Sequence, residues 1–371
     1  MSSPVPVLWV IKGLGPGGAE HLLVDLARHA DRERFRYHCV YLMPSKDHLV
    51  PALRDEGVEV SCLGMRSDAD PRWMLRLRRV VARSRPAIVH AHLPYAAVGS
   101  RLAVRSLGKR SPRMISTEHN TADRYRAPTR WADRATLPLD DRTIAVSRSV
   151  AASFPSRRRI DVIPNGIDVE RLRSRALDRN AARSALGLPP DAPVVGTIGG
   201  ITAKKGHGAL LDGARRVVAK DPDATFVWIG LPIEGAALER RIAEAGLSDR
   251  MLLAGYRKNA SELLRAFDVF CLPSLHEGLP LSVLEALAVG VPVVATSVGG
   301  VPEAVAGGGG VLVPSGDADA LATTLLELLG DAGRRARLSA EGSTAAKAFD
   351  VRETARRTEA LYLETVGGAR E

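Results

Sequence analysis

Two α/β domains, each a doubly wound parallel sheet, are what this sequence predicts, and three observations predict them. Short apolar runs alternate with amphipathic stretches from one end of the 371 residues to the other. Aromatic residues make up only 4% of the chain, so the cores must be built from Val, Leu, Ile and Ala, as strands buried on both faces are. The alternation is interrupted once, by a polar, arginine-rich stretch near 171–192, which divides it into two series. With 45% apolar residues the chain is long enough to bury two separate cores.

In the first series, strands are expected at 5–11, 37–42, 58–63, 88–91, 114–117, 143–146 and 161–163. Helices between them include 19–28, 73–83 (with Asp70 as cap and Pro71 in the first turn) and 97–106. The second series places strands at 194–198, 225–229, 251–253, 269–272, 293–295 and 310–313. A last helix near 352–365 follows the final strand by two helical segments, so it can cross back to the first domain. The expected domains are 1–175, joined by a C-terminal helix at about 350–371, and 176–349. Ligands of such folds bind beyond the carboxyl ends of the strands.

Composition limits the function classes. Cys39, Cys62 and Cys271 lie in apolar runs without metal-ligand spacing, which reads as buried free thiols in a reducing compartment. The apolar start at 5–11 is short and lacks a basic lead-in, so it reads as a first strand and not as a signal peptide. No stretch approaches the roughly 18 apolar residues of a membrane span. A cytoplasmic protein is expected. The net charge of +10 is uneven: residues 1–180 hold 32 Lys and Arg against 19 Asp and Glu, leaving 20 against 23 in the remainder. Arginines crowd 101–113, 124–134 and Arg157-Arg158-Arg159. A basic half suits an anionic partner such as a membrane surface or a phosphorylated acceptor, and equally a generic solvated surface. Nucleic acid fits least, because the basic runs are not interleaved with aromatics and no nucleic-acid-binding motif is present.

The most informative segment is Glu277-Gly278-Leu279-Pro280-Leu281-Ser282-Val283-Leu284-Glu285. An apolar strand runs into it, and a helix ending at Gly290 leaves it. One carboxylate therefore sits in a turn at the carboxyl end of a strand, and the other on the first turns of the helix. Between them the free N–H groups at the helix start form an anion site, suited to phosphate, with the glutamates left for hydroxyls. A second strand end, Gly199-Gly200-Ile201-Thr202-Ala203-Lys204-Lys205-Gly206, presents a lysine just before a helix, where it suits a phosphate or simply solvent.

Other patterns are weaker. Gly13, Gly15 and Gly18 spell G-x-G-x-x-G after the first strand, but the second strand ends in Met43-Pro44-Ser45-Lys46 with no acidic residue for a dinucleotide ribose. The glycines still allow a ligand close to a helix start. His90 and His92 share a strand face, yet no carboxylate set completes a metal site, so histidines lining a ligand cleft are expected there. The D-x-D strings at Asp68/Asp70, Asp221/Asp223 and Asp317/Asp319 sit at helix boundaries, where Asp caps backbone N–H groups.

Taken in order, these segments resemble a family 4 retaining glycosyltransferase of the GT-B fold. The resemblance rests on Gly17-Gly18-Ala19-Glu20, Val89-His90-Ala91-His92, Thr117-Glu118-His119-Asn120, Ala145-Val146-Ser147 and Val162-Ile163-Pro164-Asn165-Gly166-Ile167-Asp168. In the second half it rests on Lys205-Gly206, Pro273-Ser274-Leu275-His276-Glu277-Gly278, Glu285-Ala286-Leu287-Ala288-Val289-Gly290-Val291-Pro292 and Gly299-Gly300-Val301-Pro302-Glu303. The E-x7-E frame with this flanking is specific.

The resemblance implies two Rossmann-like domains facing across a cleft, with acceptor bound by the N-terminal one and a nucleotide-diphosphate sugar by the C-terminal one. It implies transfer of a hexose or N-acetylhexosamine, with UDP as the expected nucleotide, to an acceptor hydroxyl, and the basic first half makes a lipid-linked or cell-envelope glycan at the inner face of the membrane the expected acceptor. A soluble small-molecule acceptor is the alternative; a noncatalytic nucleotide-sugar-binding protein is the alternative of another class. His119, Glu277 and Lys205 are the implied catalytic residues. Gly17, Gly18, Lys205, Glu277, Leu281, Ser282 and Glu285 are implied to bind donor, with Glu285 on the ribose; His92 and Asn120 face the acceptor. No metal and no cofactor are implied, since lysine and helix N–H groups neutralise the leaving diphosphate. One departure stands out: the family's arginine, four or five residues before the phosphate lysine, is Gly200 here, which removes a bidentate phosphate partner.

Overall fold

The computed structural model describes residues 3–154, 160–231, 233 and 235–368. The basic run Arg157-Arg158-Arg159 lies outside the described residues. The chain divides into two compact units: residues up to Gly166 together with those from Val351 onward, and Ile167–Asp350.

The N-terminal unit begins with β1 (Val5–Ile11), α1 (Gly18–Arg28), β2 (Phe35–Tyr41), α2 (Val50–Asp55) and β3 (Glu59–Cys62). It continues through α3 (Arg72–Ser84), β4 (Ile88–His92), α4 (Pro94–Arg105) and β5 (Arg113–Glu118). It closes with α5 (Ala127–Thr136), β6 (Arg142–Ala145), α6 (Arg148–Ala152) and β7 (Ile160–Val162). All seven strands pair in parallel in the order β3-β2-β1-β4-β5-β6-β7.

The C-terminal unit opens with α7 (Val169–Arg175), α8 (Arg179–Leu186), β8 (Val194–Ile198), α9 (His207–Lys220), β9 (Thr225–Ile229) and α10 (Gly235–Glu244). There follow β10 (Met251–Gly255), β11 (Val269–Leu272), α11 (Leu281–Ala288), β12 (Val293–Thr296) and α12 (Val301–Ala304). It ends with β13 (Gly310–Val313), α13 (Ala318–Gly330) and α14 (Ala332–Ala345). Its six parallel strands run β10-β9-β8-β11-β12-β13. The last helix, α15 (Val351–Gly367), belongs to the N-terminal unit.

The central strands β4, β11 and β12 are buried along their whole length, the pattern of a sheet covered on both faces. In the N-terminal unit, Trp73, Leu77 and Val81 of α3 and Ala96, Ala97 and Val104 of α4 pack on Leu8, Val10, Val89 and Met114 of the sheet. α15 covers other sheet residues of this unit: Tyr362 accepts a hydrogen bond from Trp9 Nε1 (3.1 Å), and Tyr37 donates to Glu359 (2.8 Å).

Each sheet reverses strand order once, between β1 and β4 and between β8 and β11. Loops leaving adjacent strands in opposite directions open a crevice at such a point. In the C-terminal unit the loops concerned are 199–206 and 273–280. The sheet order thus brings Lys205 to Glu277 across 72 residues of sequence.

Two expectations need correction. Cys62 is exposed, not buried, because β3 is the edge strand of its sheet and pairs only with β2; Cys39 and Cys271 are buried, and all three thiols are free. Arg101, grouped by sequence with a basic surface, is wholly buried. The capping role of two D-x-D strings is seen directly: Asp317 accepts from Ala320 N (2.9 Å) and Asp70 from Arg72 N (3.1 Å).

Candidate functional site

In the C-terminal unit, β11 delivers the chain into the turn at Pro273, and α11 takes it away at Leu281. Pro280 precedes α11 in an extended conformation, and no side chain caps the helix. The first-turn N–H groups at Leu281 and Ser282 therefore keep the positive end of the helix for a ligand. Most of α11 is buried, including Leu281, Val283, Leu284, Ala286 and Leu287. Ser282 and Glu285 are half-buried and three residues apart, so they share the open face.

Glu277 is held from two sides. Lys205 Nζ donates to its Oε1 at 2.6 Å, and the wholly buried Ser274 Oγ donates to the same oxygen at 2.6 Å. Ser274 is itself fixed, since its carbonyl accepts from Thr296 Oγ1 at 2.5 Å. Both bonds fall on Oε1 and none on Oε2 among the described residues, so one carboxylate oxygen is anchored and the other is not.

Two glycines make this approach possible. Gly206 adopts φ +74°, and a Cβ there would stand 1.8 Å from the Pro273 carbonyl oxygen. Gly299 adopts φ +52°, and a Cβ there would stand 1.8 Å from the carbonyl oxygen of Glu277 itself. Any side chain at either place would push the two loops apart. Gly300 N further donates to Gly278 O (2.6 Å), and Leu275 N to Lys204 O (2.8 Å). The motif glycines are thus buttresses of the carboxylate loop.

In the N-terminal unit, Gly17 and Gly18 lie at the uncapped start of α1. The Glu20 carboxylate folds back over them, with Oε2 2.3 Å from where a Cβ of Gly17 would be. The loop before it is tied to its neighbour by Leu14 N donating to Lys46 O (2.7 Å) and Leu49 N to Leu14 O (2.9 Å).

The histidines divide into two kinds. His90 does not line a cleft: it is buried, with Nδ1 on Tyr362 Oη (2.6 Å) and Nε2 on Thr117 Oγ1 (2.7 Å). Helix α15 covers that face of β4, which the sequence alone could not show. His92, at the carboxyl end of β4, stands 3.3 Å (Nδ1 to Nε2) from His119, which follows β5. His92 Nε2 is buried without a partner. An orphaned lone pair costs less than an orphaned N–H, so the favoured tautomer has His92 Nδ1 donating to His119 Nε2 and leaves the His119 proton on Nδ1. Burial holds His90 down at about 3 and His119 at about 4, and holds His92 well below the usual range, with neighbouring imidazoles adding to the first and last. All three are neutral at ordinary pH. Among the described residues no group of three His, Cys, Asp or Glu is placed to hold a metal ion.

Sequence reading missed the support beneath His119 and Asn120. Buried Arg101 donates to Asp140 (2.9 and 2.8 Å), Asp133 (2.6 Å) and Ser116 (3.0 Å), and approaches Glu118 at 3.7 Å. Tyr125 Oη lies within hydrogen-bond distance of both Glu118 Oε2 (2.7 Å) and the Asn120 carbonyl (3.0 Å), which share its single proton, and this pins the loop after β5. Burial, then the nearby Asp133 charge, pushes the Glu118 carboxyl up to about 8. The one signal in the sequence was an arginine in the middle of a largely apolar helix, one turn before Arg105 at its end.

Comparison with known proteins agrees with this geometry. Residues 16–171 match the family described as Glycosyltransferase Family 4, and residues 192–331 match Glycosyl transferases group 1. The chain is 34% identical over 252 residues to the lipopolysaccharide core biosynthesis mannosyltransferase LpsB of Rhizobium meliloti, covering 65% of this chain and 70% of that one. It is 31% identical to the 2-deoxystreptamine glucosyltransferase of Streptomyces kanamyceticus, over 68% of each chain. It is 25% identical to the Escherichia coli UDP-Gal:alpha-D-GlcNAc-diphosphoundecaprenol alpha-1,3-galactosyltransferase, over 69% of this chain and 70% of that one. Anabaena Alr3699/HepE, crystallised with UDP-glucose, shares the fold with a TM-score of 0.81 at 21% identity, over 96% of this chain and 99% of that one.

Proposed function

Because this chain belongs to the family 4, group 1 glycosyltransferases, enzymes of the GT-B fold that use nucleotide sugars, we propose that it moves a hexose or N-acetylhexosamine from a UDP-sugar to an acceptor hydroxyl with the anomeric configuration retained. The observation that carries the reading is the anchored Glu277 beside Lys205 at the open start of α11.

Breaking a glycosyl phosphate bond builds negative charge on the departing diphosphate and positive charge at the anomeric carbon. Lys205 Nζ and the N–H groups of Leu281 and Ser282 meet the first. Glu277 Oε2 binds sugar hydroxyls on the side where the second develops. Glu285 takes the ribose hydroxyls from the next turn of α11. In the N-terminal unit, Gly17 and Gly18 give backbone access at the start of α1, His119 acts as a neutral hydrogen-bonding group on the sugar, and Asn120 serves the acceptor. His92 is buried behind His119, so its part is to fix the tautomer of His119. This division assigns donor to the C-terminal domain and acceptor to the N-terminal one, with the diphosphate charge met by protein groups and no metal.

The acceptor proposed is a lipid-linked or cell-envelope glycan, handled by a cytoplasmic enzyme resting at the inner face of the membrane. The surplus of basic residues in the first 180 supports it, as do two relatives, one a mannosyltransferase of lipopolysaccharide core biosynthesis and one that acts on a diphosphoundecaprenol-linked GlcNAc. Among the described residues no helix is long and apolar enough to cross a membrane. Labelled UDP-hexose supplied with membrane extract should put label into solvent-extractable lipid; label only in water-soluble product would replace this acceptor with a small molecule. A thermal-shift panel of nucleotide sugars tests the donor, since ligands that bind only the folded state raise Tm. A response to GDP-sugars but not UDP-sugars would correct the nucleotide, and no response to any would end the donor reading.

A further inference from the structure

At the amino ends of β4 and β5 lies an open groove of about 900 Å³. It sits on the edge of the N-terminal sheet opposite His92 and Glu118. Ile88 pairs with Arg113 at this edge and His92 with Thr117 at the other, four residue steps or about 13 Å away. Arg78, Arg85, Lys109, Arg110 and Arg113 line the groove and no carboxylate does, although Arg113 is paired with Asp141 behind it (3.2 Å). Arg78 Nε donates to Ser106 Oγ (3.1 Å), linking α3 to the end of α4. Arg85, Lys109 and Arg110 are exposed and form no ion pair among the described residues.

Arg85 also occupies the left-handed region, φ 45° and ψ 55°, directly before Pro86. Glycine or asparagine is the unstrained choice at such a helix end. The arginine holds its cation at the groove despite that cost. Cations near helix C-termini also complement the helix dipole, but that requires neither a groove nor four of them.

A second observation concerns the helices that wall the groove. α3, α4 and α5 lie side by side, and they expose Leu75 (60%), Leu102 (46%) and Trp131 (64%). Leu75 stands one turn before Arg78 and Leu102 one turn before Ser106, so both flank the link between α3 and α4. Trp131 points away from the buried Asp133 and lies between exposed Arg130 and Arg134. Apolar side chains interleaved with unpaired cations suit the interface of an anionic bilayer.

We infer that the α3–α5 layer rests on an anionic membrane and that the groove takes the phosphate of a phospholipid headgroup. This deepens the membrane-acceptor reading and rests on it only for the choice of surface. A free phosphate would account for the cations but leave three exposed apolar side chains without a role. The layer spans from the groove to the edge carrying His119, so a membrane-embedded acceptor would reach that edge along the same surface.

Flotation of the full chain with phosphatidylglycerol-containing vesicles tests the inference, with pure phosphatidylcholine vesicles as control. Binding is expected only to the anionic vesicles, and it should be lost in high salt. Arg85→Glu/Lys109→Glu/Arg110→Glu should weaken it by about 100-fold, from roughly fivefold per cation. Leu75→Ser/Leu102→Ser/Trp131→Ser leaves the charge unchanged and should weaken it by at least about tenfold. No binding to anionic vesicles overturns the inference. So does a charge-reversed variant that fails to bind while the serine variant binds normally, which would mark a free-anion site. A nucleotide-sugar thermal shift retained by every variant shows that each is folded. Wild-type flotation without any such shift would remove the donor reading and leave this inference standing.

Discussion

Lys205 and Glu277 form an ion pair at 2.6 Å, with the lysine side chain 20% exposed and the glutamate 10%. In the free protein each neutralises the other, and Ser274 shares the same carboxylate oxygen. A donor diphosphate would draw on the same ammonium group, so binding redistributes this pair.

The first prediction follows from that sharing. Glu277→Gln keeps a hydrogen-bonding group but removes the charge, and kcat should fall at least about 100-fold with little change in donor KM. Lys205→Ala should raise donor KM and lower kcat, and should destabilise the fold by about 1–2 kcal/mol by stranding a part-buried carboxylate. The double variant should lose less than the two singles together, because the residues are in contact. Additive losses would show that they act independently.

Gly299 is the second test. Alanine there must accept φ +52° and a clash with the Glu277 carbonyl, so Gly299→Ala should destabilise by about 2 kcal/mol or more and lower kcat/KM at least about tenfold. Gly316→Ala is the control: φ is +80°, but nothing lies within 4 Å of the added Cβ. It should cost about 1 kcal/mol and leave activity intact. Equal kinetic effects at both positions would sink the buttress role of Gly299.

These positions also show what the sequence could tell. The thirteen strands of the described residues were legible from apolar runs and their spacing: strands such as β11 and β12, buried on both faces, leave an unbroken apolar signature, and the edge strands β3 and β7 were placed by the regular alternation with helices. Glu277 and Lys205 were legible as separate motifs. Their contact was not, because it depends on β8 and β11 being neighbours, a matter of strand order that no local pattern records. Arg101 was misread for a similar reason: its partners Asp133 and Asp140 lie 32 and 39 residues away, so a buried network looked like one more surface arginine. His90 was assigned to a cleft because the helix that covers it comes 272 residues later.

Gly200 offers a gain-of-function test. A Cβ there meets only Ile233 Cδ1, at 3.5 Å, and the residue is not among those with positive φ, so the backbone accepts a side chain. Gly200→Arg restores a bidentate phosphate donor five residues before Lys205. Donor KM and the Kd for UDP by calorimetry should both fall about tenfold, the worth of one charge-assisted hydrogen bond, with kcat little changed. Unchanged or weaker UDP binding would mean that another cation already fills this place.

The buried titratable groups of the N-terminal unit predict opposing pH dependences. His90, His92 and His119 have folded-state pKa values below the usual 6.5, so the unfolded chain binds their protons more tightly. Their contribution to stability is complete above about 6.5 and is lost as pH falls toward 4 and 3, with His119 alone worth on the order of 3 kcal/mol. Glu118 has the opposite sign. Its folded value, raised to about 8, favours the native state at low pH, and that contribution is lost as pH rises from about 4.5 through 8. Melting temperature should therefore drop steeply below pH 6.5. The Glu118→Gln variant should be progressively more stable relative to wild type between pH 5 and 8. A neutral His119 also predicts no inflection near pH 6.5 in kcat/KM. An inflection there that disappears in His119→Gln would show that the imidazole is charged in the working enzyme, and with it the hydrogen bond from His92 would have to be reversed.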